Sequence, residues 1–346
     1  TPFQLFLAGL FLLAPVLGGT IRLVHTLLNW VFPPQFLPKL EFRNGIPRHA
    51  TTMVVIPTLL GSMADVQSLL RRLEVFHLAN ADPYLFFALL TDFTDAKEKE
   101  RPEDALLLQA ALDGIAALNK RYPHPHGEQY FHLLHRERRY NPQEGVWMGW
   151  ERKRGAILEL NDLIRGSRNT SYSIVSSDPA PLARAKFVIT LDADTNLPMD
   201  AAKRLIGTLA HPLNRAVVDR ESGRVLRGYG ILQPRIGISI NASNKSLFAR
   251  IFANQSGIDP YTTAVSDVYQ DLFGEGIFTG KGIYDLNVFQ DILKDAVPEN
   301  AVLSHDLLEG CYVRAGLVTD IELIDGYPAR YNSYAMRLHR WVRGDW

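Results

Sequence analysis

The sequence predicts an α/β protein, a mostly parallel sheet with flanking helices, preceded by a transmembrane helix. Three observations carry this expectation. From Thr51 onward, short runs rich in β-branched and aromatic residues alternate with helical stretches, the pattern of βαβ units. Several runs end in Thr or Asp, at the strand ends where ligands bind in such sheets. Before Thr51 the chain changes character, because residues 1–41 hold only Arg22, Lys39 and Glu41 among Asp, Glu, Lys and Arg.

From Phe3 to Ile21 no side chain ionises, and only Pro15 and Gly18-Gly19 interrupt the apolar run. About 20 such residues cross a bilayer core. Leu23 to Phe32 continues as a shorter apolar piece stopped by Pro33-Pro34, so a membrane span running into an interfacial turn of helix is expected. A buried core helix or a signal peptide has a similar composition. The signal peptide is disfavoured because no basic residue precedes the run and no small-x-small cleavage site follows it. Arg22, Lys39, Arg43 and Arg48 on the following side point to a cytoplasmic location for the rest. Residues 1–45 are therefore expected to form a membrane helix with a juxtamembrane segment, and residues 46–346 one large domain.

Within that domain, Thr52 to Ile56 reads as a strand ended by Pro57, and Ala64 to Leu78 as the helix after it. Tyr84 to Leu90 is a strand stopping at Thr91-Asp92. Pro102 to Arg121 is a helix whose first turn carries Glu103 and Asp104, where acids suit the helix dipole. Phe131 to Leu134 is a third strand and Arg154 to Arg165 a helix. Phe187 to Leu191 is a fourth strand running into Asp192-Ala193-Asp194.

Composition narrows the function. Lys+Arg 37 against Asp+Glu 37 gives a net charge of +0, without the basic excess that a nucleic-acid partner requires. A hydrophobic share of 47% excludes a disordered chain. The lone Cys311 rules out an internal disulfide and a thiolate zinc site. No Gly-x-Gly-x-x-Gly follows a strand and there is no Walker lysine motif, so dinucleotide and P-loop readings fall away. Because the sequence opens on Thr1 and stops at Trp346 within a charged aromatic segment, it is expected to be part of a longer protein.

The predicted strand ends carry Thr58, Asp92, Asp192 and Asp194. Two carboxylates on one lip are hard oxygen ligands that suit Mg²⁺ or Mn²⁺ held against a substrate diphosphate. Asp residues also cap strand-ending turns, and spacing alone leaves both readings open.

At this point the chain resembles the family-two GT-A glycosyltransferases, the group that includes processive β-glucan synthases. The motifs that carry the resemblance are Val54-Val55-Ile56-Pro57-Thr58, Leu90-Thr91-Asp92, Lys153-Arg154-Gly155-Ala156, Leu191-Asp192-Ala193-Asp194, Gly280-Lys281-Gly282, Ser304-His305-Asp306 and Arg337-Leu338-His339-Arg340-Trp341. They run in order across residues 46–346. More narrowly, Gly149 to Gly155, Phe278 to Asp285, Ser304 to Gly310 and Arg340 to Trp346 are similar to the transferase segment of cyclic β-1,2-glucan synthases.

The resemblance implies a GT-A domain in residues 46–346 and an inverting transfer of glucose from UDP-glucose to a growing β-glucan. It places the enzyme in a bacterial inner membrane, against lipid, with the catalytic domain facing the cytoplasm. Thr58 and Asp92 match positions that hold the uridine part of the donor. Lys153 and its neighbour Arg154 match the basic position beside the diphosphate, and Asp192 and Asp194 the metal and donor pair. Asp306 matches the base that ends the family's Thr-Glu-Asp motif, although Ser304-His305-Asp306 stands here. Glu309, three residues on, is the reserve for that role. The last motif departs as well, with Arg337 where the family has Gln. Arg340 matches a phosphate-binding arginine and Trp341 an acceptor-facing aromatic ring, and both residue types also suit an interfacial helix. Further membrane spans and a C-terminal phosphorylase-like domain are implied elsewhere in the parent chain. The competing readings are a cellulose-synthase-like enzyme and a noncatalytic nucleotide-sugar-binding scaffold.

Other features read as structural. His124-Pro125-His126 is expected to be a surface loop. Trp147 and Trp150 flank the basic motif and suit either sugar stacking or packing. Leu247 to Phe252, Phe273 and Phe278 are expected in the core, while Tyr261, Tyr269 and Tyr284 carry hydroxyls between the metal motif and the base.

Overall fold

The computed structural model describes residues 2–32, 35–176, 181–219, 221–253, 268–302 and 304–345. Pro33-Pro34, Tyr261 and Trp346 lie outside the described residues. In chain order the strands are β1 (Thr52–Leu60), β2 (Leu85–Phe93), β3 (Phe131–Arg136), β4 (Arg139–Asn141), β5 (Val146–Met148), β6 (Tyr172–Val175), β7 (Phe187–Thr190), β8 (Val217–Asp219), β9 (Arg224–Arg227), β10 (Ile231–Ile238), β11 (Gly282–Asp285) and β12 (Ala315–Asp325). Eight of them form one sheet in the order β12-β10-β11-β7-β1-β2-β3-β6, and β4-β5 and β8-β9 are separate two-stranded ribbons. The β1–β2, β1–β7, β2–β3 and β10–β12 pairs are parallel. The β11 pairs and the β3–β6 pair are antiparallel. The mostly parallel α/β expectation therefore holds.

Side-chain alternation divides the core between the two sheet faces. Val54, Ile56, Phe87 and Leu89 point to one face, and Met53, Val55, Ala88 and Leu90 to the other. Helices α2 (Met63–Ala79), α3 (Asp104–Arg121) and α5 (Ala201–Leu209) cover the first face through Leu69, Leu73, Ala111, Ile115 and Leu205. Between α3 and α5 in the chain, α4 (Arg152–Ile164) covers the second through Ile157, Leu160 and Ile164, beside the helix Leu286–Leu293 with Leu286 and Phe289.

Several expectations are corrected. Pro57 does not end β1. The Val55 carbonyl accepts from Leu191 N on the β7 side, and Pro57, two residues on, faces the same flank beyond the last β7 partner. Its missing N–H therefore removes no ladder bond, and β1 continues beside β2 to Leu60. The apolar N-terminus is one continuous helix, α1 (Pro2–Val31), with no break between its two apolar stretches. Its Pro2–Leu28 stretch has a mean hydropathy of 1.9 and is 0% buried, so it is not part of the core of the described domain. The helix Leu247–Phe252 is also not core, since only Ala249 is buried there and Leu247 is 72% exposed. Phe273 is exposed too, whereas Phe278 is buried as expected.

The segment between α1 and β1 is docked on the domain. Asn214 Nδ2 donates to Pro38 O at 2.8 Å, Lys39 pairs with Asp320, and Leu40 N donates to Gly207 O at 2.9 Å. Gly207, inside α5, is needed because any Cβ would meet the Leu40 carbonyl. Gly207→Ala is expected to lift residues 38–40 off α5 and to speed tryptic cleavage at Lys39 several-fold. An unchanged cleavage rate would contradict this docking.

Candidate functional site

The sheet topology gathers one polar edge. β2 ends at Asp92–Phe93, β3 at Arg136, β7 runs into Asp192, and β12 ends at Asp325. β11 is antiparallel to β7 with Gly282 opposite Thr190, so Gly280 and Lys281 arrive at the same edge from the other direction. This is the edge beyond the carboxyl ends of the parallel strands, where α/β sheets bind ligands.

Charges of alternating sign line it. Lys153 Nζ donates to Asp192 Oδ1 at 2.6 Å and to Gly280 O at 2.8 Å. Lys281 Nζ lies 3.3 Å from Asp192 Oδ2 and also pairs with Asp325. Asp325 Oδ1 in turn accepts from Thr195 Oγ1 at 2.6 Å. Burial works against the Asp192 charge, but Lys153 and Lys281 outweigh it and hold the carboxyl below its ordinary range. Burial likewise opposes both lysine charges, and it is outweighed at Lys153 by Asp192 and Asp306 and at Lys281 by Asp192 and Asp325, so both lysines are raised. Asp192, Lys153 and Lys281 are thereby held charged. Lys281 and Asp325 had no role in the sequence reading. Gly280-Lys281-Gly282 was visible as a motif, but nothing local marks Asp325.

The donor set at Asp192 and Asp194 fits a hard dication. Both carboxylates are partly open, at 36% and 43% side-chain exposure, and each already faces cationic nitrogens. Lys281 Nζ lies 3.3 Å from Asp192 Oδ2, and Arg337 Nη2 lies 3.3 Å from Asp194 Oδ2.

Across the edge, Gly280 lets the helix Asp306–Val313 come close. Its φ of +87 suits glycine, and a Cβ there would stand 2.5 Å from Asp306 Oδ2. Thr279 is fixed by bonds from its N and Oγ1 to Gln233 Oε1 at 2.9 and 3.1 Å. Asp306 and Glu309 are not equivalent. Glu309 is buried and paired with His305 Nδ1 at 2.9 Å, whereas Asp306 Oδ1 is buried without a hydrogen bond and lies 3.4 Å from that nitrogen. Burial disfavours the His305 imidazolium, but Glu309 and Asp306 raise its pKa above the ordinary value.

The other expected residues separate into two groups. Arg340 joins Arg72, Asp194, Lys245, Tyr327 and Arg337 around a cavity of about 740 Å³. Trp341 is exposed, with Arg337 Cζ 5.8 Å from its ring centre. Thr58 lies near the end of β1, in register with Thr91. Asp92 is buried and taken up bidentately by Arg136, through Nε to Oδ1 at 2.8 Å and Nη2 to Oδ2 at 2.5 Å. Arg154 points away from the edge. Its guanidinium bonds Glu151 at 2.8 Å and Val297 O at 2.5 Å, because α4 turns successive side chains to different faces. Arg154 thus braces a loop here and makes none of the lysine contacts of its neighbour.

The remaining candidates are structural in this fold. His124 is a buried packing residue rather than a surface-loop residue, stacked on Phe86 with Nε2 2.9 Å from Pro83 O. Trp147 bridges Ala96, and Trp150 Nε1 donates to Glu299 at 2.7 Å. Tyr284 is buried with its hydroxyl donated to Asn161 at 2.9 Å.

The turn before α4 is strained. Glu151 and Arg152 have φ of 50 and 49, a left-handed conformation that costs non-glycine residues on the order of 1–3 kcal/mol each. It directs Lys153 to Asp192.

No protein-family model matches the chain. Over 333 residues, 96% of its length, the chain is 49% identical to the cyclic beta-(1,2)-glucan synthase NdvB of Rhizobium meliloti (strain 1021). The chain is a homologue of one segment of that synthase. It spans 12% of the synthase's length. The match agrees with the ordered motifs, which resemble the same kind of synthase. A crystal structure of an active-site mutant of LgtC overlays at a TM-score of 0.33 and 12% identity, covering 78% of this chain and 72% of that one.

The raised His305 predicts a pH signature. Its stabilising contact with Glu309 is complete below the unfolded histidine value of about 6.5 and is lost as pH rises through the higher native value. The thermal midpoint of His305→Asn should therefore lie below that of the unsubstituted protein at pH 6, with the gap narrowing toward pH 9. A gap independent of pH would refute the contact.

Proposed function

We propose that the chain is the glucosyltransferase segment of a membrane-bound cyclic β-1,2-glucan synthase. On this reading it is a GT-A-type enzyme that moves glucose from UDP-glucose, with inversion, to the 2-hydroxyl of a growing glucan. The observation that carries the reading is the convergence of Lys153, Lys281 and Asp192 with Asp306 on one sheet edge, in a chain homologous to such a synthase.

The roles follow from the chemistry of each group. Asp306, whose Oδ1 has no hydrogen bond, is the general base that takes the acceptor hydroxyl proton as that oxygen attacks the anomeric carbon opposite UDP. Glu309 is buried on His305 and steadies the helix start, which favours Asp306 over Glu309 as base. Lys153 meets the charge that develops on the departing diphosphate. Arg340, beside Asp194 in the 740 Å³ cavity, adds a second phosphate-binding cation. Asp192 and Asp194 would hold Mg²⁺ or Mn²⁺, which when bound supplies further neutralisation of the diphosphate. Trp341 offers a flat apolar face to the acceptor. Thr58 and Asp92 lie on the uridine side on this reading, with Asp92 held in place by Arg136.

Helix α1, apolar over Pro2–Leu28, is the membrane anchor on this reading, and the basic residues after it keep the domain on the cytoplasmic face of a bacterial inner membrane. Other segments of the parent chain would receive the product.

The test uses membranes carrying the protein with radiolabelled UDP-glucose. Incorporation into a β-1,2-linked product is expected, abolished by EDTA and restored by Mg²⁺ or Mn²⁺. A β-1,4 product would instead identify a cellulose-type synthase. Asp306→Asn should lower turnover by about 100- to 10,000-fold while UDP binding persists. Near wild-type turnover in that variant would overturn the base assignment.

A further inference from the structure

Arg136, the last residue of β3, is 1% exposed. An arginine has five N–H donors in a planar fork, and here every nitrogen is engaged. Nε and Nη2 hold the two oxygens of Asp92. Nη1 reaches Glu159 Oε2 at 3.1 Å and Trp150 O at 2.8 Å, and Nη2 also reaches Arg152 O at 2.8 Å. An arginine that only balanced buried carboxylates would need Asp92 and Glu159 alone. Two of these bonds go instead to the carbonyls of Trp150 and Arg152, on either side of the left-handed residue Glu151 and including the carbonyl of the left-handed Arg152. From the other side, Glu151 accepts from Asn300 N at 2.6 Å and from Arg154 at 2.8 Å. The turn is thus pinned on both flanks, and the next residue is Lys153.

We propose that Arg136 is a positioning residue for glycosyl transfer: it holds the turn at Glu151 and Arg152 that aims Lys153 at the diphosphate, and it ties that turn to Asp92. The proposal rests on the transferase reading above. Arg136 is too buried to touch substrate and acts through Lys153. Lysine cannot replace it, because an ammonium is a point charge without the fork that spans a carboxylate and two carbonyls at once.

A double-mutant cycle on UDP-glucose turnover tests this. Arg136→Lys keeps the charge, and displacement of Lys153 should lower kcat by about 100-fold. In a Lys153→Ala background, the same change should lower kcat by no more than about 3-fold, since the group it positions is gone. Equal losses in both backgrounds, or an Arg136→Lys variant with wild-type kcat, would overturn the proposal. If Arg136→Lys does not fold, Glu159→Gln carries the same test: it loosens one anchor of the fork, and its effect on kcat should also shrink in the Lys153→Ala background. Equal effects of Glu159→Gln in both backgrounds would overturn it too. An unsubstituted protein without transfer would instead refute the transferase reading, so the two failures are distinguishable.

Discussion

The alternation of Lys153, Asp192, Lys281 and Asp325 is the constraint around which the polar edge of the sheet is organised. A partly buried charge is tolerated when opposite charges surround it, and Asp192 is contacted by both lysines. The inner pair is the more enclosed, with Lys281 and Asp325 each at 13% side-chain exposure. Removing one partner of a buried pair typically costs about 3–5 kcal/mol, because the other charge is left uncompensated. The array also depends on register. Side chains alternate along a strand, so a slip of one residue where β11 meets β7 would turn the Lys281 end of that strand toward the wrong face. Because the antiparallel β11 begins at this edge, it brings Gly280 and Lys281 to the point where β7 delivers Asp192.

Two carboxylates on one short helix take on different chemistry in this setting. Asp306 faces Gly280 with one oxygen lacking a hydrogen bond, and Glu309, one turn on, is closed against His305. Placing chemically similar groups in unlike surroundings is how proteins give them different roles. His305 stands between these two carboxylates, and Glu309 and Asp306 raise its pKa against the effect of burial.

Much of the fold was legible because its signals are local. The apolar run Val54-Val55-Ile56 and the run from Phe187 into Asp192 identify strands and the site edge without tertiary knowledge. Thr58, Asp92, Asp192, Lys153 and Asp306 could be named because each lies in a short motif. The rest is set by pairings across long stretches of chain. Lys281 and Asp325 are 44 residues apart, and so are Arg136 and Asp92. Apolar composition also identifies a hydrophobic segment without identifying what covers it, which is why Leu247 to Phe252 read as core yet lies mostly exposed. Arg154 shows a different limit. Sequence adjacency to Lys153 suggested a shared role, but helical geometry sends neighbouring side chains in different directions.

The turn at Glu151 and Arg152 shows where local preference yields to the tertiary structure. Glycine would adopt these backbone angles without penalty, yet two charged residues occupy them. Such strain persists only when surrounding contacts over-determine it. Here Arg136 fixes the carbonyls of Trp150 and Arg152, and Asn300 and Arg154 fix the Glu151 carboxylate. A turn held from both sides has little freedom to relax, so Lys153 keeps its direction toward Asp192. Because the same guanidinium also grips Asp92, the end of β2 and the start of α4 are mechanically one piece.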